Sequence, residues 1–155
     1  MKPIIEKFYQ AFNHLDAEAM DDCYHQNVVF TDPAFGTLYG AKAKNMWRML
    51  CASQKEKDFN LSYSNLKSGP QYGSADWEAQ YTFGRTGRKV HNVIHAEFEI
   101  EDNKIIRHTD HFDLHRWARQ ALGVSGLLLG WTPFFKRRLQ DQTHRLLEKF
   151  ETESK

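Results

Sequence analysis

A chain of 155 residues suits a single domain, because two independent cores of half that size would each be marginal. Hydrophobic residues make up 41% of the sequence and aromatic residues 14%, which excludes a disordered chain and supplies enough rings to line a pocket. The formal net charge of +1 gives no overall support for a nucleic-acid partner, and we expect none.

Two amphipathic helices are predicted at the start of the sequence. Apolar residues recur at helical spacing from Ile4 onward, and Asp16 then begins a second helical run through Cys23 and Tyr24. The first run is interrupted by charge, so it is neither a signal peptide nor a membrane span, and we expect a cytoplasmic protein. A third helix is predicted over residues 41–53.

The middle of the chain has the pattern of strands. The stretch "VVFTDPAFGTLYG", residues 28–40, is rich in β-forming residues up to Asp32 and is then broken by Pro33 and two glycines. From Phe59 to Leu114, apolar and polar residues alternate in runs separated by turn signals. Helices followed by a meander of strands predict an α+β domain whose helices pack on one face of an antiparallel sheet.

Residues 120–155 form a C-terminal extension to the domain predicted for residues 1–119. An apolar, glycine-punctuated stretch comes first, and Thr132 and Pro133 then have the positions of an N-cap and a first helical residue. We expect the extension to pack on the domain or on a partner subunit; contact with a membrane surface, suggested by neighbouring arginines, is the less favoured alternative. The apolar face of the amphipathic helix is predicted at Phe135, Leu139, Leu146 and Phe150.

Two ionisable groups fall on the apolar face of the last predicted strand. Alternation from Ile106 to Leu114 places His108 and Asp110 on the same side as the apolar residues. Desolvation shifts the pKa of a titratable group, and catalytic acids and bases are tuned in this way. His108 and Asp110 are therefore candidate acid/base residues, and a satisfied buried pair without catalysis is the alternative.

Asp32 is a third candidate. It shares one face of its strand with Val28 and Phe30, just before Pro33 ends that strand. This position suits a second inward-facing carboxylate. An Asx turn, which Asp before Pro often opens, remains an equal alternative.

Other kinds of site have little support. The H-x-D-H-x-D-x-H run of residues 108–115 would split its ligands between two strand faces, so we predict no metal site. The sequence has no nucleophile-elbow serine and no glycine-rich nucleotide loop, which argues against hydrolases and NTPases of those types. Cys23 and Cys51 lack zinc or disulfide spacing and are expected as buried free thiols. No cofactor is expected.

Two stretches carry a family resemblance. "VFTDPAFG" resembles the segment of ketosteroid isomerases in which the aspartate before proline is the general base, and "IHAEFEIEDNKIIRHTD" is similar to the I-H…GK-I…H-W-D pattern of SnoaL-like polyketide cyclases. The chain up to about Arg119 is therefore identified as a member of the NTF2-like superfamily, in its SnoaL-like and ketosteroid-isomerase-like branch. The resemblance implies a cone of N-terminal helices packed on a curved antiparallel sheet. It also implies acid/base residues at Asp32, His95, His108 and Asp110.

The sequence departs from its relatives at other catalytic positions. Phe8 stands where the isomerases carry an oxyanion-binding Tyr, with Tyr9 about 100° around the helix. Their oxyanion-binding Asp falls nearest to His95, so a steroid isomerase with that oxyanion hole is not expected. Limonene-epoxide-hydrolase relatives share a final strand similar to "DHFDL", but their Arg and Asp correspond to Trp77 and Ala79 here. Epoxide hydrolysis by that mechanism is therefore not expected.

The orientation of His95 is a separate question. Strict alternation groups it with Glu97 and Glu99, on the side opposite to the apolar residues. A β-bulge near Ala96 would return His95 to the same face as Phe98. Its catalytic role depends on that bulge.

The expected function is the binding of a small hydrophobic molecule in an apolar pocket, with isomerisation, cyclisation or dehydration by general acid/base chemistry as the reaction classes. Whether the protein is an enzyme stays open at this point. The alternative is a non-catalytic NTF2-like binding module that forms a homodimer through its sheet face and C-terminal helix. The side chains expected to line the pocket are Phe8, Tyr9, Phe12, Phe30, Trp47, Trp77, Tyr81, Phe98 and Phe112.

Overall fold

The computed structural model describes residues 2–154, in which helices pack on a six-stranded sheet, so the α+β prediction is confirmed. Met1 and Lys155, the outermost residues of the predicted segments 1–119 and 120–155, lie outside the described residues, and that division stays a prediction. In chain order the elements are α1 (Ile4–Asn13), α2 (Ala17–Cys23), β1 (Tyr24–Asp32), β2 (Gly36–Tyr39), α3 (Ala41–Gln54), β3 (Asn60–Ser68), β4 (Tyr72–Thr82), β5 (Lys89–Glu101), β6 (Lys104–His111), α4 (Leu114–Leu122), α5 (Val124–Leu129) and α6 (Pro133–Glu153).

The sheet has the strand order β2-β1-β6-β5-β4-β3 and is curved and open. Its strands pair antiparallel except in the middle, where β1 runs parallel to β6 and Phe30 pairs with His108. The sequence predicted antiparallel strands throughout. The parallel ladder joins the first and last long strands of the chain, and it brings the end of β1 beside the end of β6.

Helices α1 and α3 cover the inner face of the sheet. The apolar residues of α1 lie on one side of the helix, and Ile5, Phe8 and Phe12 are buried there. Gly73 on β4 allows the close approach of α1, because a Cβ at residue 73 would lie 2.2 Å from Cδ1 of Ile5. Trp47 of α3 is buried against the same core.

The second helix ends one residue before the sequence predicts. Asp16 caps α2 as expected, because its side chain accepts a hydrogen bond of 3.1 Å from the backbone N–H of Ala19. Tyr24, predicted in the helix, is the first residue of β1 and has an extended backbone. Its side chain lies in the core, where its hydroxyl is hydrogen-bonded to Trp47 and His108.

Two caps set the beginnings of the C-terminal helices. The Asp113 side chain accepts a backbone hydrogen bond of 3.0 Å, so Leu114, predicted at the end of a strand, is the first residue of α4 instead. Thr132 caps α6 by accepting a bond of 3.1 Å from the N–H of Phe135, and Pro133 stands in the first turn, as predicted.

The buried face of α6 differs from the prediction by one residue. Leu147 is 1% exposed, whereas Leu146, which the sequence placed on that face, is 50% exposed. Phe135 and Leu139 are partly buried, as the pattern predicts. None of the helices within residues 2–154 is long and apolar enough to span a membrane.

Gly126→Ala is expected to destabilise the protein through the contact between α4 and α5. A Cβ at residue 126 would lie 1.9 Å from the backbone oxygen of Ala118, so α5 would have to move away from α4. We expect the free energy of unfolding, measured by urea denaturation, to fall by about 2 kcal/mol. Gly84→Ala is the matched control, because nothing lies within 4 Å of a Cβ there. Equal losses in the two variants would contradict the close contact.

Candidate active site

His108 and Asp110 lie inside the domain, with exposed fractions of 0% and 3%. Alternation along β6 sends both side chains inward, as the sequence predicts. Within residues 2–154 no other histidine or charged residue is buried to this degree. Because polar groups at such positions need hydrogen-bond partners, the surrounding side chains decide what this pair can do.

A directional chain of hydrogen bonds satisfies the pair. The indole N–H of Trp47 donates to the Tyr24 hydroxyl at 2.8 Å, and that hydroxyl lies 2.7 Å from Nδ1 of His108. Nε2 of His108 is 2.9 Å from Oδ1 of Asp110, which also accepts from the indole N–H of Trp77 at 3.3 Å. An ionised carboxylate can only accept, so Nε2 of His108 carries the proton that faces Asp110, and Nδ1 of the neutral imidazole then accepts from the Tyr24 hydroxyl.

Aromatic rings enclose the His108 imidazole. Phe98 is tilted over it at 4.4 Å between centroids, and Trp47 stacks on it at 6.0 Å. Phe8 and Phe30 meet it edge to face. Of the rings expected to line a pocket, Tyr81 and Phe112 are partly buried and all the others are buried. The rings pack on one another, so side chains fill much of the interior in which a pocket was predicted.

Asp32 combines both roles that the sequence left open. Its Oδ1 accepts hydrogen bonds from the backbone N–H groups of Ala34 at 2.9 Å and Phe35 at 2.6 Å, which makes the turn. Burial, helped by the negative charge of Asp110, raises the pKa of Asp32 to about 7, although the two backbone hydrogen bonds act to lower it. Within residues 2–154, Oδ2 accepts no hydrogen bond.

Asp32 and Asp110 are neighbours across the parallel ladder. The register pairs Phe30 with His108 and Thr31 with Thr109, and the two aspartates are the next residues of β1 and β6. Two carboxyl groups are thus placed at the same end of the inner face, one of them hydrogen-bonded to His108. The negative charge of Asp110 therefore favours the protonated form of Asp32.

Tyr9 presents an unsatisfied polar group to the same interior. Its side chain is fully buried, and its hydroxyl has no hydrogen-bond partner among the residues that the structure describes. Burial raises the pKa of Tyr9 well above the usual range, and the charge of Asp110 adds to the effect. A buried hydroxyl without a partner is costly, so an acceptor oxygen on a bound molecule would suit it.

His95 does not join this site. Its Nδ1 is hydrogen-bonded to Oδ1 of Asp76 at 2.7 Å on the outer face of the sheet, where its side chain is half exposed. The register of β5 continues without a shift through Ala96 and Glu97, and the irregularity comes later, at Glu99. The bulge that would turn His95 inward is therefore absent, and His95 has the outward orientation that strict alternation gives, so the acid/base role that depended on the bulge is corrected.

The sequence analysis missed the two donors that orient His108. Tyr24 was predicted in a helix, although "YHQNVVF" has enough β-forming residues to begin a strand there. Trp47 was predicted only as an apolar wall, whereas its indole N–H also fixes the Tyr24 hydroxyl. A prediction that the strand begins at residue 24 would have placed the Tyr24 side chain on a face of the sheet.

Helix α6 covers the loop that follows Asp32, which the sequence did not predict. Gln140 donates to the carbonyl of Pro33 at 3.1 Å, and Thr143 donates to that of Ala34 at 2.9 Å. Nε2 of His144 lies 2.5 Å from the carbonyl oxygen of Phe35, the residue that follows Ala34. The C-terminal helix thus lies over the end of the inner face where the two aspartates meet.

Metal-ligating groups come together at one exposed place among the described residues. Ligand atoms of His25, Glu101 and Asp102 lie within 4.8 Å of one another, beside the turn between β5 and β6. Nε2 of His25 lies 3.8 Å from an oxygen of each carboxylate, within ion-pairing distance when the imidazole is protonated. Cys23 and Cys51, outside this trio, are buried free thiols, as predicted.

The SnoaL-like domain family model matches residues 5–108. The chain belongs to this family. The match includes Tyr9, Tyr24, Asp32 and His108 and ends before Asp110, so the C-terminal helices of this SnoaL-like protein lie beyond it. A comparison with curated proteins gives no match.

Solved structures share the fold at low sequence identity. TerC, co-crystallised with polyporic acid, is 20% identical with a TM-score of 0.58, covering 72% of this chain and 92% of its own. An LEH-like epoxide hydrolase from M. tuberculosis is 17% identical with a TM-score of 0.61, covering 81% and 92%. An NTF2-like protein of unknown function from Burkholderia pseudomallei K96243 is 16% identical with a TM-score of 0.65, covering 79% and 99%. At these identities the likeness shows the fold alone.

Two tyrosines of this SnoaL-like protein make a matched pair for stability measurements. Tyr9→Phe removes a buried hydroxyl without a partner, so we expect the free energy of unfolding to rise by about 1 kcal/mol. Tyr24→Phe leaves Trp47 and His108 each without a partner, and we expect a loss of about 2 kcal/mol. Urea denaturation of both variants measures the difference. Losses of the same size at both positions would contradict the assigned hydrogen bonds.

Asp32→Asn is expected to remove a pH dependence of stability. The pKa of Asp32 is raised from 3.8 to about 7 on folding, so the folded state binds the proton more tightly than the unfolded state. The stabilisation is complete below about pH 4 and is lost as the pH rises towards about 7. Over this range we expect the free energy of unfolding to fall by about 2 kcal/mol more in the parent protein than in the variant, because Asp32 keeps some contact with water.

Asparagine is the appropriate replacement because its amide oxygen can still accept the hydrogen bonds from Ala34 and Phe35. Urea denaturation at several pH values gives the two profiles. Parallel profiles would show that Asp32 has an ordinary carboxyl pKa in the folded protein.

Proposed function

We propose that this SnoaL-like protein binds a small apolar molecule that carries an oxygen function, and transfers a proton to or from it by general acid/base catalysis. The observation that supports this most directly is the pairing of Asp32, with a pKa near 7, and Asp110, held by His108. A group with a pKa near the working pH is populated in both its acid and its base forms. Isomerisation, cyclisation and dehydration next to a carbonyl all need such a group.

Asp32 is the proposed proton carrier. Its Oδ1 is occupied by the two backbone N–H groups of the turn, which hold the carboxyl in place and leave Oδ2 for the substrate. Asp110 keeps its hydrogen bonds to His108 and Trp77 and contributes the negative charge that helps to raise the pKa of Asp32. In this division of roles His108 and Tyr24 are positioning residues.

Tyr9 is the proposed donor to the oxygen of the substrate. Its hydroxyl has no partner among residues 2–154, and the aromatic residues around it offer an apolar surface for a carbon skeleton. When a proton leaves the carbon next to a carbonyl, negative charge develops on the oxygen, and a preorganised hydroxyl stabilises it. The co-crystal of TerC with polyporic acid supports a small organic molecule as the ligand of this fold.

The ring packing of the interior favours a second candidate, a non-catalytic NTF2-like binding module. Phe98, Trp47 and Phe8 contact His108 directly, so the space near the pair is well filled. In this alternative the buried pair fixes the strands and the protein acts as a homodimer through its sheet face and C-terminal helix. A ligand could reach the catalytic site of the first proposal only after α6 or some of these rings move aside.

Deuterium exchange into a simple apolar ketone tests the catalytic proposal without knowledge of the natural substrate. Tetralone, incubated with the protein in heavy water and analysed by mass spectrometry, should take up deuterium next to its carbonyl faster than in buffer alone. The rate should rise with pH and level off above about 7, where Asp32 is ionised. Asp32→Asn should lower the rate by about a hundredfold or more.

The controls separate catalysis from binding. Asp22→Asn removes an exposed carboxylate and should leave the exchange rate unchanged. Tyr9→Phe should slow exchange about fivefold to tenfold, the value of one hydrogen bond to the oxygen. Tetralone that binds, as measured by calorimetry, but exchanges at the buffer rate would favour the non-catalytic module.

A further inference from the structure

An exposed apolar segment lies between α4 and the body of α6. We call residues 124–134 the apolar tip. Trp131 is 69% exposed, Leu128 63% and Phe134 57%, and their apolar neighbours in the segment are exposed as well. Single exposed apolar residues are ordinary on protein surfaces, but a contiguous run that includes a tryptophan indicates a binding surface.

The fold holds the apolar tip outward. Gly126 and Gly130 lie on one side of α5, and a Cβ at either residue would collide with Ala118 of α4. This glycine side packs against α4, so the leucines of α5 point away from the domain. Trp131 is tied back by a hydrogen bond of 3.0 Å from its indole N–H to the carbonyl of Leu128. The exposure therefore follows from a fixed conformation.

Positive charge surrounds the apolar tip. Residues 114–140 contain no Asp or Glu. Their Lys and Arg side chains are all exposed, and within residues 2–154 none of them forms an ion pair. One of them stacks on the tip itself, with the Arg138 guanidinium 5.7 Å from the ring centroid of Phe134. The cations are Arg116, Arg119, Lys136, Arg137 and Arg138.

We propose that the apolar tip docks on the surface of a membrane that contains anionic lipids. Leucine, tryptophan and phenylalanine side chains would enter the boundary between headgroups and acyl chains, while the surrounding cations meet the lipid phosphates. The same charges argue against a second copy as the occupant, because an isologous contact would bring like-charged rims together. The sequence analysis favoured packing of this segment on the domain or on a partner subunit, and its exposure on this chain is the observation on which the membrane alternative rests.

This docking does not depend on the proposed catalysis. It determines which side of the domain would face the membrane. Phe135 and Leu139 of α6 are partly buried against the second hydrophobic cluster, which is formed around Val90 and Trp117, whereas Phe134 faces outward. The bound surface would therefore lie beside α4 and the start of α6.

Vesicle co-sedimentation of the full chain tests the proposal. We expect binding to vesicles of equal parts phosphatidylcholine and phosphatidylglycerol to be about tenfold or more tighter than to phosphatidylcholine alone, and to weaken at high salt. Trp131 is the exposed tryptophan, since Trp47, Trp77 and Trp117 are buried, so binding should also shift the tryptophan emission to the blue.

Two variants and their controls locate the surface. Trp131→Ser should weaken binding about tenfold or more, whereas Tyr72→Ser, at an equally exposed aromatic on β4, should leave it unchanged. Arg137→Gln should weaken binding about fivefold, and Lys149→Gln, the same charge change later on α6, should not. These are surface positions, and far-ultraviolet circular dichroism confirms that each variant is folded.

Three results would overturn the proposal. One is no binding to anionic vesicles, and a second is equal binding to neutral and anionic vesicles. The third is a dimer in analytical ultracentrifugation that Trp131→Ser converts to a monomer, which would make a second copy the occupant of the apolar tip.

Discussion

The hydrogen bond between His108 and Asp110 is the constraint on which the interior depends. A buried imidazole and carboxylate are tolerated only if their polar atoms are paired, and here the partners are Tyr24 on β1, whose hydroxyl is itself held by Trp47 of α3, and Trp77 on β4. Each indole has a single donor and a rigid ring, so the network allows little freedom in where these elements sit. Through these hydrogen bonds, one polar pair on β6 helps to hold strand β1 beside β6 and helix α3 over both strands.

The properties of Asp32 follow from that arrangement. The parallel ladder places it next to Asp110, and the turn that it makes exposes the carbonyls of Pro33 and Ala34, to which α6 is hydrogen-bonded. The helix covers the loop beside the carboxyl, whose burial raises the pKa of Asp32. The C-terminal extension therefore adjoins the site, although it lies outside the residues that match the family.

Local patterns predicted the parts of this structure that local physics determines. Alternation identified His108 and Asp110 as inward-facing, and Thr132 with Pro133 predicted the start of α6. The pairing of β1 with β6 was not predictable in this way, because it depends on contacts between distant parts of the chain. Tyr24 was misassigned for a related reason: α2 passes directly into β1, so no turn residue marks the boundary. The amide-rich, charged face of α6 likewise gave no indication that Gln140 and Thr143 bind the loop after Asp32.

The C-terminal helices have one side that packs on the domain and another side that is exposed. On α6, Phe135 and Leu139 pack towards the cluster around Trp117 of α4 while Phe134 stays outside, a division that helical geometry imposes on neighbouring residues. A soluble domain with no use for the outer side would gain from polar residues there, since exposed leucines and a tryptophan promote association. Instead the chain surrounds them with cations that form no ion pair within residues 2–154, and it fixes them with glycines. Exposure, charge and rigidity together are the features on which the proposed docking rests, because a lipid bilayer offers an apolar phase with an anionic boundary.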